Sequence, residues 1–256
     1  DVCSSDLYDE PSVSKLDLKN IQKFIRETFG INSEIRENIF KKLNEKKQQK
    51  IEDCIVLDLK KPFQKQSQLI KDVSTDAENM KTSKEREISI YDGIELNQVI
   101  EEIVPLEENI EKVLHIIFTN KLIGTFDYDD YRYHARVWVG SNPIVISTTG
   151  IIEAPAKPKQ YYMDLMTNFS NDSEETIREK YKGEFLEYND PRLPKIIEGY
   201  LIQSIMYYET GDVFCNDLKC RLFNAHWQKD LLISQIKNPS LCEQHTKILT
   251  KIKNSV

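Results

Sequence analysis

Two short segments in the last fifth of the chain carry a cluster of metal-binding side chains. Residues 211–228 read GDVFCNDLKCRLFNAHWQ, and residues 239–245 read PSLCEQH. Cys215 and Cys220 form a C-x4-C pair, and Cys242 and His245 form a C-x2-H pair. Thiolates and imidazoles are the usual ligands of tetrahedral zinc, and short pairs cost little chain entropy to close. The spacing predicts one structural zinc ion that ties this segment together, because metal binding at such sites is coupled to folding.

Other interpretations of these residues stay open at this stage. Cys215 and Cys220 are close enough in sequence to form a local disulfide, and cysteines are also buried as small apolar side chains. His226 is a spare ligand that can take the place of His245, although a histidine beside a tryptophan on a helix is more often a packing residue. The metal site is favoured because four ligand-type side chains cluster with zinc-like spacing.

The composition predicts a soluble, folded and fairly helical protein. The chain has 256 residues, of which 39% are hydrophobic and 30% charged, with eight glycines. It contains no apolar run of the length that crosses a bilayer, so we expect no membrane partner. The start of the chain lacks the pattern of a secretory signal, and an odd cysteine count suits a reducing compartment. The expected location is the cytoplasm.

The charge distribution is uneven and bears on nucleic-acid binding. A net charge of −7 argues against binding to a phosphate backbone as the main activity. The tract from Lys41 to Lys71, however, contains nine lysines and four acidic residues. This tract can contact nucleic acid or an acidic partner, but such a run is more often a solvated helix and linker.

Residues 1–150 alternate between strand-like and helix-like segments, which predicts a mixed α/β sheet region. Asp17 is a predicted N-cap, and Gly30 is a predicted stop, for a helix with apolar residues at Leu18, Ile21, Ile25 and Phe29. The predicted strands are 2–8, 33–39, 54–57, 87–91, 113–119, 133–139 and 143–147, and the other predicted helices are 41–50 and 96–104. A polar insertion is predicted at about residues 60–86.

Residues 151–256 are predicted to be mainly helical and to carry the zinc site. The predicted helices are 159–168, 173–182, 191–210, 226–236 and 240–252. The helix at 191–210 has a wide apolar face and should be buried against the sheet. We expect the sheet region and this helical region to form one continuous domain.

The cysteine-bearing segments resemble archaemetzincins, a family of zinc-peptidase type. Its active helix reads H-E-x-x-H-x-x-G-x-x-H-C, and a C-x-M segment and a late C-x-x-C pair form a second, structural zinc site. Aligning the motif cysteine on Cys215 places the motif glycine on Gly211. Cys220 then falls in the C-x-M segment, and Cys242 and His245 replace the late pair, with histidine in the last place.

The resemblance covers residues 87–245 and includes residues 145–148, VIST, beside a V-V-S-T type segment of the family. The chain is also similar to an archaeal group described as metallopeptidases. The resemblance implies a zincin-like mixed sheet with flanking helices and a helical, zinc-stapled C-terminal part.

The catalytic half of the motif is missing from this sequence. The first two motif histidines fall on Ser204 and Tyr208, the glutamate on Ile205 and the third histidine on Phe214. Zinc hydrolases need nitrogen or carboxylate ligands and a base for the metal-bound water. The family methionine is Leu222, which alters only packing. We therefore predict no catalytic residues, a lost peptidase activity, and a binding or scaffold role toward a peptide or protein.

Two further functions remain as alternatives. An active metallopeptidase can use displaced ligands such as Glu209, Asp212 and His226, assembled with His115 or His134. A nucleic-acid or ribosome-associated factor can use the basic tract that begins at Lys41.

Other patterns give weak signals only. Asp127, Asp129 and Asp130 lack the glycine and distal glutamate of a calcium loop and are predicted to form a solvated turn. Residues 147–150 have no nucleophile-elbow pattern, and the chain has no glycine-rich phosphate loop.

Overall fold

The computed structural model describes residues 4–62, 88–105, 112–140, 142–167, 173–212 and 214–255. Most of the predicted polar insertion, residues 63–86, lies outside the described residues. The strands are β1 Ser4–Tyr8, β2 Asn32–Arg36, β3 Ile90–Asp92, β4 Val113–Thr119, β5 Leu122–Asp127, β6 Arg132–Arg136, β7 Trp138–Val139 and β8 Ile144–Ser147. The helices are α1 Leu18–Phe29, α2 Glu45–Glu52, α3 Gly93–Glu101, α4 Thr148–Glu153, α5 Lys159–Met166, α6 Glu174–Lys180, α7 Leu193–Thr210, α8 Gln228–Leu232 and α9 Glu243–Ser255.

The larger sheet has the strand order β2-β1-β4-β8-β7. Strands β2, β1, β4 and β8 are parallel, and β7 is antiparallel to β8 at one edge. Side chains of a strand alternate between its faces, so Leu7 and Ile116 join a core with α1, α7 and α9, whereas Tyr8 and Ile117 join a second core with α2 and α3. The predicted mixed α/β architecture with flanking helices is confirmed.

A smaller sheet has the order β3-β5-β6. The strand predicted at 133–139 is in fact divided: β6 pairs with β5 in this sheet, and β7 pairs with β8 in the larger one. Strand β5 is not among the predicted strands. The strand predicted at 54–57 is wrong, since Ile55 makes only an isolated bridge to Tyr91.

Helix α1 follows its predicted bounds because both ends are capped. The Asp17 carboxylate accepts hydrogen bonds from the backbone N–H groups of Lys19 and Asn20. At the other end, Gly30 has the left-handed φ of 80° and donates its N–H to the carbonyl of Arg26.

Helix α7 is the long buried helix that the sequence predicts. Eleven of its residues are buried, and its apolar side chains belong to the core on one face of the larger sheet. It ends at Gly211, which has a left-handed φ of 74° and donates its N–H to the Tyr207 carbonyl at 2.7 Å. No helix in the described ranges has both the length and the apolar character needed to cross a bilayer.

The helix predicted at 226–236 begins later and changes type. The carbonyl of His226 accepts from the Ala156 N–H, and the Gln228 N–H returns to the Ala156 carbonyl, both at 2.8 Å, so residues 226 and 227 are extended. Helix α8 continues as a π-helix over Ile233–Lys237. The helix predicted at 240–252 is α9, displaced by three residues toward the C-terminus.

Candidate metal centre and adjoining cleft

The fold brings the four predicted zinc ligands into one cluster. Cys215 and Cys220 flank a turn after α7, Cys242 directly precedes α9, and His245 lies in the first turn of α9. One ligand atom from each residue lies within 4.8 Å of all the others. Cys220 and His245 are buried, and Cys215 and Cys242 are partly exposed.

Two distances in the cluster are close to those expected around a single tetrahedral ion. The Cys215 and Cys242 sulfurs are 4.0 Å apart, and the Cys220 sulfur is 3.7 Å from His245 Nδ1. The ligand atoms of a zinc ion with ordinary bond lengths stand about 3.5–3.8 Å apart. Cys242 Sγ and His245 Nδ1 are closer, at 2.9 Å. The local disulfide between Cys215 and Cys220 does not form, because both residues are thiols in the structure.

Backbone groups hold the cysteine loops in position. The N–H of Asp217 points at the Cys215 sulfur, and the N–H of Cys242 points at the Cys220 sulfur, each at 3.4 Å. An isolated β-bridge between the backbones of Cys220 and Ser240 also joins the two cysteine-bearing segments. Such N–H donors orient metal ligands and stabilise the negative charge of thiolates.

The pKa values of the Cys220 and Cys242 thiols are shifted in opposite directions. Burial raises the pKa of Cys220 to about 12. Burial also acts to raise the pKa of Cys242, but hydrogen bonds from the His245 and Gln244 backbones, together with the neighbouring thiols, lower it overall. A coordinating thiol is deprotonated outright by a bound cation, so a zinc ion is suited to this buried, thiol-rich cluster.

Arg221 connects the cysteine loop to the rest of the fold. Its guanidinium is buried and donates to the Lys195 carbonyl at 2.6 Å and to Gln235 Oε1 at 3.3 Å. Gln235 in turn donates to the Arg221 carbonyl at 2.7 Å. Burial lowers the pKa of Arg221, and Glu198 partly offsets this effect. These bonds attach the loop to both α7 and the π-helix.

Replacing Arg221 with methionine is expected to destabilise the protein by about 2 kcal/mol, because Lys195 and Gln235 lose a buried hydrogen-bond partner. Equilibrium unfolding in urea measures this cost. Lys219→Met is the matched control in the same loop, since its side chain is exposed, and it should change stability by less than about 0.5 kcal/mol. Equal effects of the two changes would contradict the role assigned to Arg221.

The positions of the missing catalytic motif lie in and after α7. Ser204 is fully buried and donates its hydroxyl to the Leu201 carbonyl at 3.3 Å, and Ile205 is also fully buried. Phe214 is half exposed. Gly211 turns the chain sharply at the end of α7. At these predicted motif positions, none of the side chains offers the nitrogen or carboxylate group of a zinc-peptidase ligand.

The structure does not assemble the displaced ligands proposed for an active enzyme. In the described part of the chain, Glu209, Asp212 and His226 do not belong to any group of three ligand atoms within 4.8 Å. His115 is fully buried in β4, with Nδ1 at 3.2 Å from the Tyr8 hydroxyl.

A second group of ligand-type side chains lies at the β5–β6 hairpin and combines Asp127, Asp130 and His134. His134 Nε2 lies 2.8 and 2.9 Å from the two Asp130 carboxylate oxygens, so hydrogen bonding to this carboxylate accounts for its position. The predicted solvated turn is consistent with the exposure of Asp129 and Asp130. The sequence pattern does not predict the contact between His134 and these aspartates, because the pairing of β5 with β6 brings them together.

A cleft of about 600 Å³ opens between α7 and the strand segment that contains β6 and β7. Aromatic side chains form much of its wall, including Trp138, Tyr207 and Phe214. The Trp138 ring centroid lies 5.5 Å from that of Tyr207, and the indole N–H donates to Gln203 Oε1 at 3.0 Å. The sequence does not predict this cleft, because its lining residues share no spacing or motif.

The fold and the cluster together define a mixed α/β protein with a cysteine- and histidine-rich, potentially metal-binding group beside its long buried helix, α7. The chain belongs to the family described as "Probable metallopeptidase family (DUF6775)", whose model matches residues 2–252. Family membership confirms the predicted metallopeptidase-type kinship. Among solved structures, archaemetzincin (amzA) from Methanopyrus kandleri matches with 10% sequence identity and a TM-score of 0.48, covering 99% of this chain and 96% of that chain. The search of curated proteins found no match.

Proposed function

We propose that this protein is a zinc-stapled member of its family that has lost peptidase chemistry and binds an extended peptide or protein segment in the cleft beside α7. The proposal is supported most directly by the positions of the metal-binding side chains. They cluster after α7 and do not lie at the predicted positions of the peptidase motif on that helix. Cys215, Cys220, Cys242 and His245 could supply all four ligands of a tetrahedral ion, so the zinc they would hold has no open position for water.

The chemistry of α7 supports the loss of hydrolysis. Zinc peptidases need an open metal site and a carboxylate that takes a proton from the bound water. Ile205 stands at the position of that carboxylate, and Ser204 donates its hydroxyl to its own helix. These side chains supply neither a general base nor a nitrogen ligand.

The edge of the larger sheet supports peptide binding. The Val137 carbonyl accepts the Ser147 N–H at 2.7 Å, so the Trp138–Ile146 pair is a non-hydrogen-bonded pair of the antiparallel ladder. The backbone N–H and carbonyl of Trp138 consequently point away from β8. A strand at the edge of a sheet, with N–H and carbonyl groups that point away from the sheet, can pair with an added strand, and neighbouring pockets receive the side chains of that strand.

The described part of the basic tract gives no reason to prefer nucleic-acid binding. Lys41 and Lys42 pair with Glu37, and Lys50 pairs with Glu102. Lysines that already face carboxylates offer less charge to a phosphate backbone.

The test is a binding screen of fluorescein-labelled random peptides, followed by Tyr207→Ala. We expect some apolar peptides to bind, and the variant to lose about tenfold in affinity because an aromatic wall of the cleft is removed. Tyr162→Ala is the matched control, since this exposed tyrosine lies on α5.

The same preparation, supplied with zinc, is expected to leave every peptide uncut. Hydrolysis that a chelator stops without unfolding the protein would overturn the proposal in favour of an active metallopeptidase. Absence of binding to any peptide in the screen would remove the binding half of the proposal.

A further inference from the structure

We propose that Arg136 makes the cleft specific for peptides that place a carboxylate beside an apolar or aromatic side chain. This inference rests on the proposed peptide-binding function and names the chemistry of the bound segment. The carboxylate can belong to the C-terminus of a peptide or to an aspartate or glutamate side chain, and both present the same planar anion.

The position of Arg136 carries the inference. It is the last residue of β6, its side chain is half-buried, and it lines the cleft. Its Nε donates to Thr125 Oγ1 at 2.8 Å, which orients the guanidinium. Within the described residues, no carboxylate lies within ion-pair distance of Arg136. Its two terminal nitrogens therefore remain available to a ligand.

The charge of the cleft points to the same ligand. The lining residues include no aspartate, glutamate or lysine in the described part of the chain, so Arg136 supplies the permanent charge of the wall. Around it stand aromatic side chains such as Trp138 and Phe214, and the amides of Gln203 and Asn224. A cation in an apolar-walled cleft attracts an anion more strongly than one on an open surface.

The geometry of arginine favours a carboxylate over other anionic or polar groups of a peptide. A guanidinium whose Nε is already bonded still presents two parallel N–H donors, which match the two oxygens of a carboxylate. The neighbouring Trp138 backbone is the edge to which a peptide strand would pair. A peptide strand paired there would place its carboxylate near Arg136. A side chain no more than two residues away along the peptide would then face the aromatic wall of the cleft.

The experiment uses a peptide selected in the screen, prepared with a free C-terminus, with an amidated C-terminus, and with an internal aspartate replaced by asparagine. Fluorescence anisotropy measures its affinity for the full chain and for Arg136→Gln. We expect the variant to bind the carboxylate-bearing peptide about tenfold more weakly or worse. For the peptide that lacks the recognised carboxylate, Arg136→Gln and the unaltered protein should have the same affinity. The arm in which affinity falls identifies the source of the carboxylate.

Arg132→Gln is the matched control, because this exposed arginine lies on the same strand and does not line the cleft. Thermal unfolding measures whether both variants fold. Arg136→Lys should recover part of the affinity, because lysine retains the charge but lacks the two parallel N–H donors of arginine. Equal affinities for all three peptides, or an equal loss for all of them in Arg136→Gln, would overturn the inference and leave peptide binding intact. Failure of every peptide to bind would overturn the proposed function as well.

Discussion

A protein carrying both Cys215→Ser and Cys242→Ser is expected to bind no zinc and to lack a cooperative thermal unfolding transition. The two changes remove half of a tetrahedral set whose sulfurs lie 4.0 Å apart. A structural zinc ion contributes on the order of 10 kcal/mol, which is comparable with the whole stability of about 5–15 kcal/mol of a folded domain. Elemental analysis should give one zinc per chain in the unaltered protein and none in the variant.

Cys54→Ser is the matched control for this change. Cys54 is a buried thiol that lies outside the cluster, in the core on the opposite face of the larger sheet. This variant should keep one zinc per chain and a cooperative transition. An unaltered protein that folds fully without metal, or a double variant that retains zinc, would show that the cluster is not a zinc staple.

Replacing Gly150 with alanine is expected to lower stability by about 3 kcal/mol or more. A Cβ at this position in α4 would lie 2.2 Å from the Arg136 carbonyl oxygen, and neither backbone can move aside without separating α4 from the sheet. The helix propensity of alanine works in the opposite direction but contributes at most about 1 kcal/mol. A fall in melting temperature of roughly 6–12 °C should result.

The same substitution should weaken peptide binding, because it displaces the strand that carries Arg136 and Trp138. Gly183→Ala is the control: its φ is 85°, and nothing lies within 4 Å of the added Cβ. That variant should lose only about 1 kcal/mol from backbone strain. If Gly150→Ala proves no more destabilising than Gly183→Ala, the close packing of α4 on β6 is not what holds this wall of the cleft.

Local features of the chain predicted those elements whose signals lie within a few residues. Asp17 and Gly30 bound α1 because a cap and a left-handed stop act on adjacent backbone groups. The apolar run at 113–119 predicted β4, since a strand buried on both faces needs continuous hydrophobic character. The helix predicted at 191–210 ends at Thr210 as predicted, and Gly211 provides a left-handed stop of the same kind after it.

Predictions failed where pairing with a distant segment overrides local preference. Residues 133–139 have the composition of one strand, yet β6 and β7 join different sheets because their partners, β5 and β8, differ. The later start of α8 depends on hydrogen bonds to Ala156, seventy-odd residues earlier in the chain. No pattern within residues 226–236 encodes that partner.

The sequence by itself determined which residues can bind zinc, because Cys215, Cys220, Cys242 and His245 are soft ligands in two short pairs whose spacing is visible without a fold. It also determined that α7 lacks the H-E-x-x-H motif, because Ser204, Ile205 and Tyr208 stand at its positions. Only the tertiary structure decided that the four ligand atoms meet within 4.8 Å, and that Arg136, Trp138 and Tyr207 border one cleft. Those residues lie on separate elements, and only packing, which acts between segments far apart in sequence, brings their side chains together.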